Sequence, residues 1–191
     1  MQKKLNMTRF VQGAAAVAIF ASMSPVMAAD GEIAFNGKVL STTCTIGAGG
    51  GATGDKNMTV KLPSVSVSAL SNAGEVAGRT PFSIQLSGCT GEATKVSTVF
   101  ESGGTVDSES GRLNLVSAGA EDTVASNVQI SLLNDAQEPI KAGLASSQQN
   151  SQVVALKDGA ATLNYYAEYY ATGKSTAGSA NSRIQYSLDY Q

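Results

Sequence analysis

Histidine is absent from this chain of 191 residues, and with it go Ser-His-Asp and Cys-His catalysis and the commonest metal ligand. Cysteine occurs only twice, at Cys44 and Cys89, with no C-x-x-C spacing to hold a metal or run a redox cycle. Charge is sparse, at 15% Asp, Glu, Lys and Arg, and no basic run marks a nucleic-acid surface. Aromatic residues make up 6%, which offers little for the deep cleft of a two-carboxylate glycosidase. The acidic groups Glu121-Asp122 and Asp107 with Glu109 sit among Ser and Gly and read as solvated loop charges. The glycines at 47, 49, 50, 51 and 54 are not followed by a Lys-Ser/Thr pair or a helical pattern, so they form no phosphate cradle. No catalytic residue, cofactor site or metal site is expected.

Long apolar runs are missing too. The segment from Phe10 to Met23 is shorter than the ~20 residues needed to cross a bilayer. It follows Lys3, Lys4 and Arg9 and leads to the small-residue site Val26-Met27-Ala28, the pattern of a secretory signal over residues 1–28. Cleavage one residue later, after Ala29, is the alternative. Removal of residues 1–28 leaves 163 residues, enough for one domain with a core. It also removes three basic and no acidic residues, leaving ten basic against 15 acidic and a net charge of −5. In an exported chain the pair Cys44 and Cys89 reads as one structural disulfide.

What is present is alternation. Short segments with period-two patterns are separated by Gly, Ser, Asn and Asp: 57–62, 81–87, 96–101, 112–116, 127–133 and 152–156. The longest runs from Leu163 to Ala171, with Leu163, Tyr165, Ala167 and Tyr169 on one face and Tyr166 and Tyr170 on the other. Core packing with an edge or interface role accounts for these tyrosines more simply than a sugar-binding platform does. Helical periodicity is confined to the signal, with short turns at most in 68–74 and 137–147. The glycine-rich stretch 47–54 reads as a flexible loop or strand switch. Many short strands with turn signals between them point to an all-β sandwich.

Two terminal segments stand out. Arg183 to Gln191 alternates with Ile184, Tyr186, Leu188 and Tyr190 on one face, and a half-buried strand of this kind needs a partner. Ile33 to Val39 alternates likewise just beyond the signal, placing Ile33, Phe35, Gly37 and Val39 on one face. Together they suggest a protein completed by a neighbour.

These residues resemble the pilin subunits of chaperone–usher fimbriae, of the type 1 and P pilus kind. The similarity lies in Gly31-x-Ile33-x-Phe35-x-Gly37-x-Val39 ahead of Cys44, and in Pro81-Phe82-x-Ile84-x-Leu86-Ser87-Gly88-Cys89. It continues in Leu163-x-Tyr165-x-Ala167-x-Tyr169-x-Ala171-Thr172 and in Ala177-Gly178-x-Ala180-Asn181 with the penultimate Tyr190. The resemblance implies an incomplete immunoglobulin-like sandwich lacking its last strand, completed by donor-strand exchange. It implies a signal peptide 1–28, a donor extension 29–40 and a pilin domain 41–191. Ile33, Phe35, Gly37 and Val39 would form the donor strand. Gly178, Ile184, Tyr186, Leu188 and Tyr190 would form the acceptor groove and the contact for chaperone and usher. The implied partners are identical or related pilins, a periplasmic chaperone and an outer-membrane usher, with export through the periplasm to a surface fimbria that supports adhesion. A single-domain tip adhesin binding a host glycan or protein, using Tyr166 and Tyr170, is the competing function. A self-sufficient secreted sandwich is the third.

Overall fold

The computed structural model describes residues 34–37 and 39–191. The expected signal peptide, Gly31 and Ile33 lie outside the described residues. Residues 34–37 have no regular secondary structure and are exposed.

The domain that follows is all β, and its named strands all pair antiparallel. Its strands are β1 (Thr43–Gly49), β2 (Ala52–Gly54), β3 (Met58–Val60), β4 (Val76–Thr90), β5 (Lys95–Phe100), β6 (Leu113–Asn114), β7 (Val128–Leu133), β8 (Val153–Ala155), β9 (Ala161–Ala171) and β10 (Tyr186–Tyr190). Short 3-10 turns occupy Val67–Leu70 and Ser146–Gln148, inside or beside the stretches where the sequence allows helical turns. One sheet has the order β1-β4-β9-β7-β6 and the second β10-β5-β8, while β2 and β3 form a separate hairpin.

Alternation builds the core. Along β9, Leu163, Tyr165, Ala167, Tyr169 and Ala171 are buried, while Tyr166 and Tyr170 on the other face are half-buried. Tyr165 joins the sheets: its ring lies 5.4 Å from Phe82 of β4 and 5.3 Å from Phe100 of β5, the latter edge-on. Ile84, Leu86, Val96, Ile130 and Leu132 complete this layer, each fully buried aliphatic side chain contributing roughly 1.5–3 kcal/mol. Cys44 in β1 and Cys89 near the end of β4 form the expected disulfide across 45 residues.

Two segments sharpen the sequence reading. The stretch 47–54 is mostly strand: β1 runs through Gly49, the chain turns at Gly50 and Gly51, and β2 begins at Ala52. Both turn glycines have positive φ, +70° and +145°, and they carry the chain from the β1–β4 ladder into the β2–β3 hairpin, so of the two expectations the strand switch is found and not the flexible loop. Second, β4 begins at Val76, five residues before the alternating run at 81–87. Its register against β9 shifts between Ala77 and Thr80, where Gly78 has φ +70°, and that bulge breaks the alternation.

Candidate functional site: an open groove beside the C-terminal strand

β10 is the edge of its sheet. It pairs with β5 from Tyr186 opposite Phe100 to Tyr190 opposite Val96, and no other described strand lies along its far side. Gln191 and Lys95 exchange both backbone hydrogen bonds, at 2.9 and 3.0 Å. Antiparallel pairing alternates, so Asp189 and Ser187 also turn their backbone groups toward β5. Tyr186, Leu188 and Tyr190 therefore turn theirs to the open side. Their side chains, with that of Ile184, pack against the core and remain partly exposed. The same residues thus present both an apolar surface and unpaired backbone donors and acceptors.

The opposite wall is β3 and the chain that follows it. β3 pairs only with β2, so its other edge is open too. Met58, Val60, Leu62 and Val65 pack inward, while Thr59 and Lys61 point to water. Between the walls lies a groove of about 1610 Å³, floored by core residues that include Phe82, Ile84, Ile130 and Leu132.

Three hydrogen bonds join the walls. At one point the Tyr186 hydroxyl donates to the Lys56 carbonyl at 2.9 Å; fourteen residues along one wall and eleven along the other, the Ser175 N–H donates to the Leu70 carbonyl at 3.1 Å, and the Ser175 hydroxyl donates to the Val67 carbonyl at 3.4 Å. Burial pushes the Tyr186 and Tyr190 hydroxyl pKa values up, which keeps both neutral and able to donate at ordinary pH.

Gly178 lines the groove, but its backbone surroundings explain why the residue is glycine. A Cβ there would stand 2.6 Å from the Thr123 carbonyl oxygen and 2.7 Å from the Val124 carbonyl carbon. Ser179 next to it bonds to Thr123 and Ala125 through its backbone, and its hydroxyl donates to the Asp122 carboxylate at 2.7 Å. That bond, after the larger effect of the Ala118 N–H, holds the Asp122 pKa below its usual range. Asp122 is thus a tether for the C-terminal segment and not only the solvated loop charge that the sequence suggests.

The structure places the other sequence-derived residues as follows. Phe35 is 91% exposed and Val39 97% exposed, Gly37 is exposed, and Ile33 lies outside the described residues. Tyr166 and Tyr170 share the outer face of β9, where the Arg112 guanidinium stands 3.9 Å over the Tyr170 ring centre. It occupies the ring face that a stacking sugar would use. No cluster of potential metal ligands occurs among the described residues.

A family model described as FimA, type-1 fimbrial protein A, matches residues 62–191. The chain belongs to the type-1 fimbrial protein family. This fimbrial subunit is 51% identical over 168 residues to the major fimbrial subunit SMF-1 of Stenotrophomonas maltophilia (strain K279a), with 85% of this chain and 94% of that one covered. It is 45% identical over 177 residues to the F17 fimbrial protein of Escherichia coli, covering 90% and 93%. Among solved structures, that of the P pilus rod subunit PapA aligns with a TM-score of 0.54 at 20% identity, over 78% of this chain and 99% of that one. The sandwich is therefore the immunoglobulin-like pilin fold, and the protein is a structural subunit of a fimbria.

Sequence reasoning found one wall of the groove and missed the other. The alternation at 57–62 is legible, but nothing local shows that its apolar face looks across at β10. Lys56 enters through a backbone carbonyl, for which the sequence has no signal.

Proposed function

We propose that this fimbrial subunit polymerises by strand donation. Residues 31–40 of one copy lie between β3 and β10 of the next, with Ile33, Phe35 and Val39 entering the groove and Gly37 passing a narrow point. The layout is then a signal peptide 1–28, a donor extension 29–40 and an acceptor domain 41–191. The observation that carries this reading is the groove itself, two unpaired strand edges whose apolar side chains are left partly exposed. Ten residues at about 3.3 Å each reach roughly 33 Å, long enough to run along a sandwich edge. Main-chain bonding to the free groups of Tyr186, Leu188 and Tyr190 supplies affinity, and alternate side chains supply register. Phe35 and Val39, nearly fully exposed, gain the cover that water denies them.

An open edge beside an apolar groove invites aggregation, so the subunit needs a cover between export and assembly. A periplasmic chaperone fills that role by lending a strand, and an outer-membrane usher exchanges it for the next subunit's extension. The product is a surface fimbria that supports adhesion, with no enzymatic activity.

Thermal melting of oxidised 41–191 with and without a peptide of residues 30–41 tests the reading. The peptide should raise the melting temperature markedly, and its Gly37→Arg form should not. A truncated domain that is stable alone and indifferent to the peptide would favour a self-sufficient sandwich.

A further inference from the structure

Asn36-Gly37 is the only Asn-Gly step in the sequence, and it falls in the middle of the segment 33–39. Both residues are exposed and lie in no strand or helix. A Cβ built on Gly37 meets no atom within 4 Å, so the Gly37 amide is sterically open. Backbone nitrogen attack on an asparagine side chain needs this setting. The following residue must carry no shielding side chain, and the chain must be free to rotate into a five-membered ring.

We propose that Asn36 is a site of spontaneous deamidation that limits how long an unassembled subunit stays competent. The deprotonated Gly37 nitrogen attacks the Asn36 Cγ, a C–N bond forms, and the Cγ–Nδ2 bond breaks with release of ammonia. Water then opens the succinimide at either carbonyl, giving aspartate or isoaspartate. Water is the only co-reactant, and no electrons are exchanged.

The isoaspartate product alters the chain where alternation matters. Its Cβ becomes part of the main chain, so one extra backbone atom separates Phe35 from Gly37 and Val39. Strand side chains alternate with a period of two, and a lengthened step displaces everything beyond it from the common face. A donor carrying isoaspartate at 36 can seat Ile33 and Phe35, or Gly37 and Val39, but not both sets in register. Once inserted, the same residues are held in an extended ladder that forbids ring closure, so assembly stops the clock. This consequence for assembly rests on the strand-donation reading; the conversion itself does not.

Full-length mature chain, oxidised and depolymerised, is aged at mildly alkaline pH beside assembled fibres of the same protein. Peptide mapping by mass spectrometry and enzymatic methylation of isoaspartate then follow each asparagine. Asn36 should convert first in the free subunit, ahead of Asn150 and Asn181, and stay intact in the fibre. Aged subunit should lose polymerisation in proportion to its isoaspartate content, while equally aged Asn36→Gln protein polymerises as freshly prepared Asn36→Gln protein does. The proposal is overturned if Asn36 survives conditions that convert a free peptide of residues 30–41. It is equally overturned if isoaspartate-bearing chains polymerise like fresh ones. Fresh protein that never polymerises would instead sink strand donation, and the conversion readout would still stand.

Discussion

Gln149 is fully buried within a polar run, Ser146 to Gln152, in which nothing in the sequence marks it for the core. Its side-chain carbonyl accepts from the Phe100 N–H at 2.9 Å, and its amide donates to the carbonyls of Phe100 at 2.9 Å and Leu144 at 2.6 Å. The side chain thus stands in for a strand beside Phe100, beyond the reach of β8, which pairs with β5 only at Lys95 to Ser97. Gln149→Leu keeps the volume and leaves the Phe100 N–H and the Leu144 carbonyl without partners, while the Phe100 carbonyl keeps its bond from the Gly143 N–H. Unsatisfied buried groups cost about 1–3 kcal/mol each, so a loss of roughly 2–4 kcal/mol is expected in urea unfolding. A variant within experimental error of wild type would mean that water reaches Phe100. Gly178 makes the complementary point. Its place in the C-terminal motif marks it as special, but its cause, close approach to the backbone of residues 123–125, depends on a contact over fifty residues away.

β10 forms one wall of the groove, and its register decides what each terminal residue does. Tyr190 packs against the core opposite Val96, and Gln191 closes the ladder through Lys95. Deleting Tyr190 and Gln191 removes one free backbone edge residue and one apolar contact while leaving the pairs from Tyr186 to Asp189. Binding of the peptide of residues 30–41 should weaken by roughly tenfold or more, the equivalent of about 1.4 kcal/mol. Calorimetric titration showing unchanged affinity would move the capture site off this end of β10. Most elements were legible because their alternation is local: β9 was expected from Leu163 and begins at Ala161, and β7 was expected at 127–133 and spans Val128–Leu133. β4 was shortened because the Gly78 bulge breaks its period, and the glycines at 47–54 left a loop and a strand switch equally open. The groove was legible as an unpaired strand at one end of the chain. Its second wall was not, since facing edges are a property of sheet order and not of any segment.

At the scale of the molecule, the disulfide sits where chain continuity makes it count twice. Cys44 is four residues beyond Leu40, the end of the proposed donor segment, and it is bonded to Cys89 of β4. In the isolated subunit the bond closes a loop of about 45 residues and restricts the unfolded chain, worth about 4 kcal/mol on an entropic account. In a fibre built by strand donation, tension entering through a donor segment reaches its own subunit at β1. From there it can pass to β4 through the disulfide or through the ladder from Thr43 to Gly49. A ladder loaded from its end opens one pair at a time, whereas a covalent bond near the first pair prevents that peeling. Reduction of assembled fibres should therefore lower the guanidinium midpoint for depolymerisation, and it should do so even where the inserted donor remains fully paired in its acceptor. Oxidised and reduced fibres with the same midpoint would show that the β1–β4 ladder alone anchors the donor, leaving the disulfide to act only on the unassembled chain.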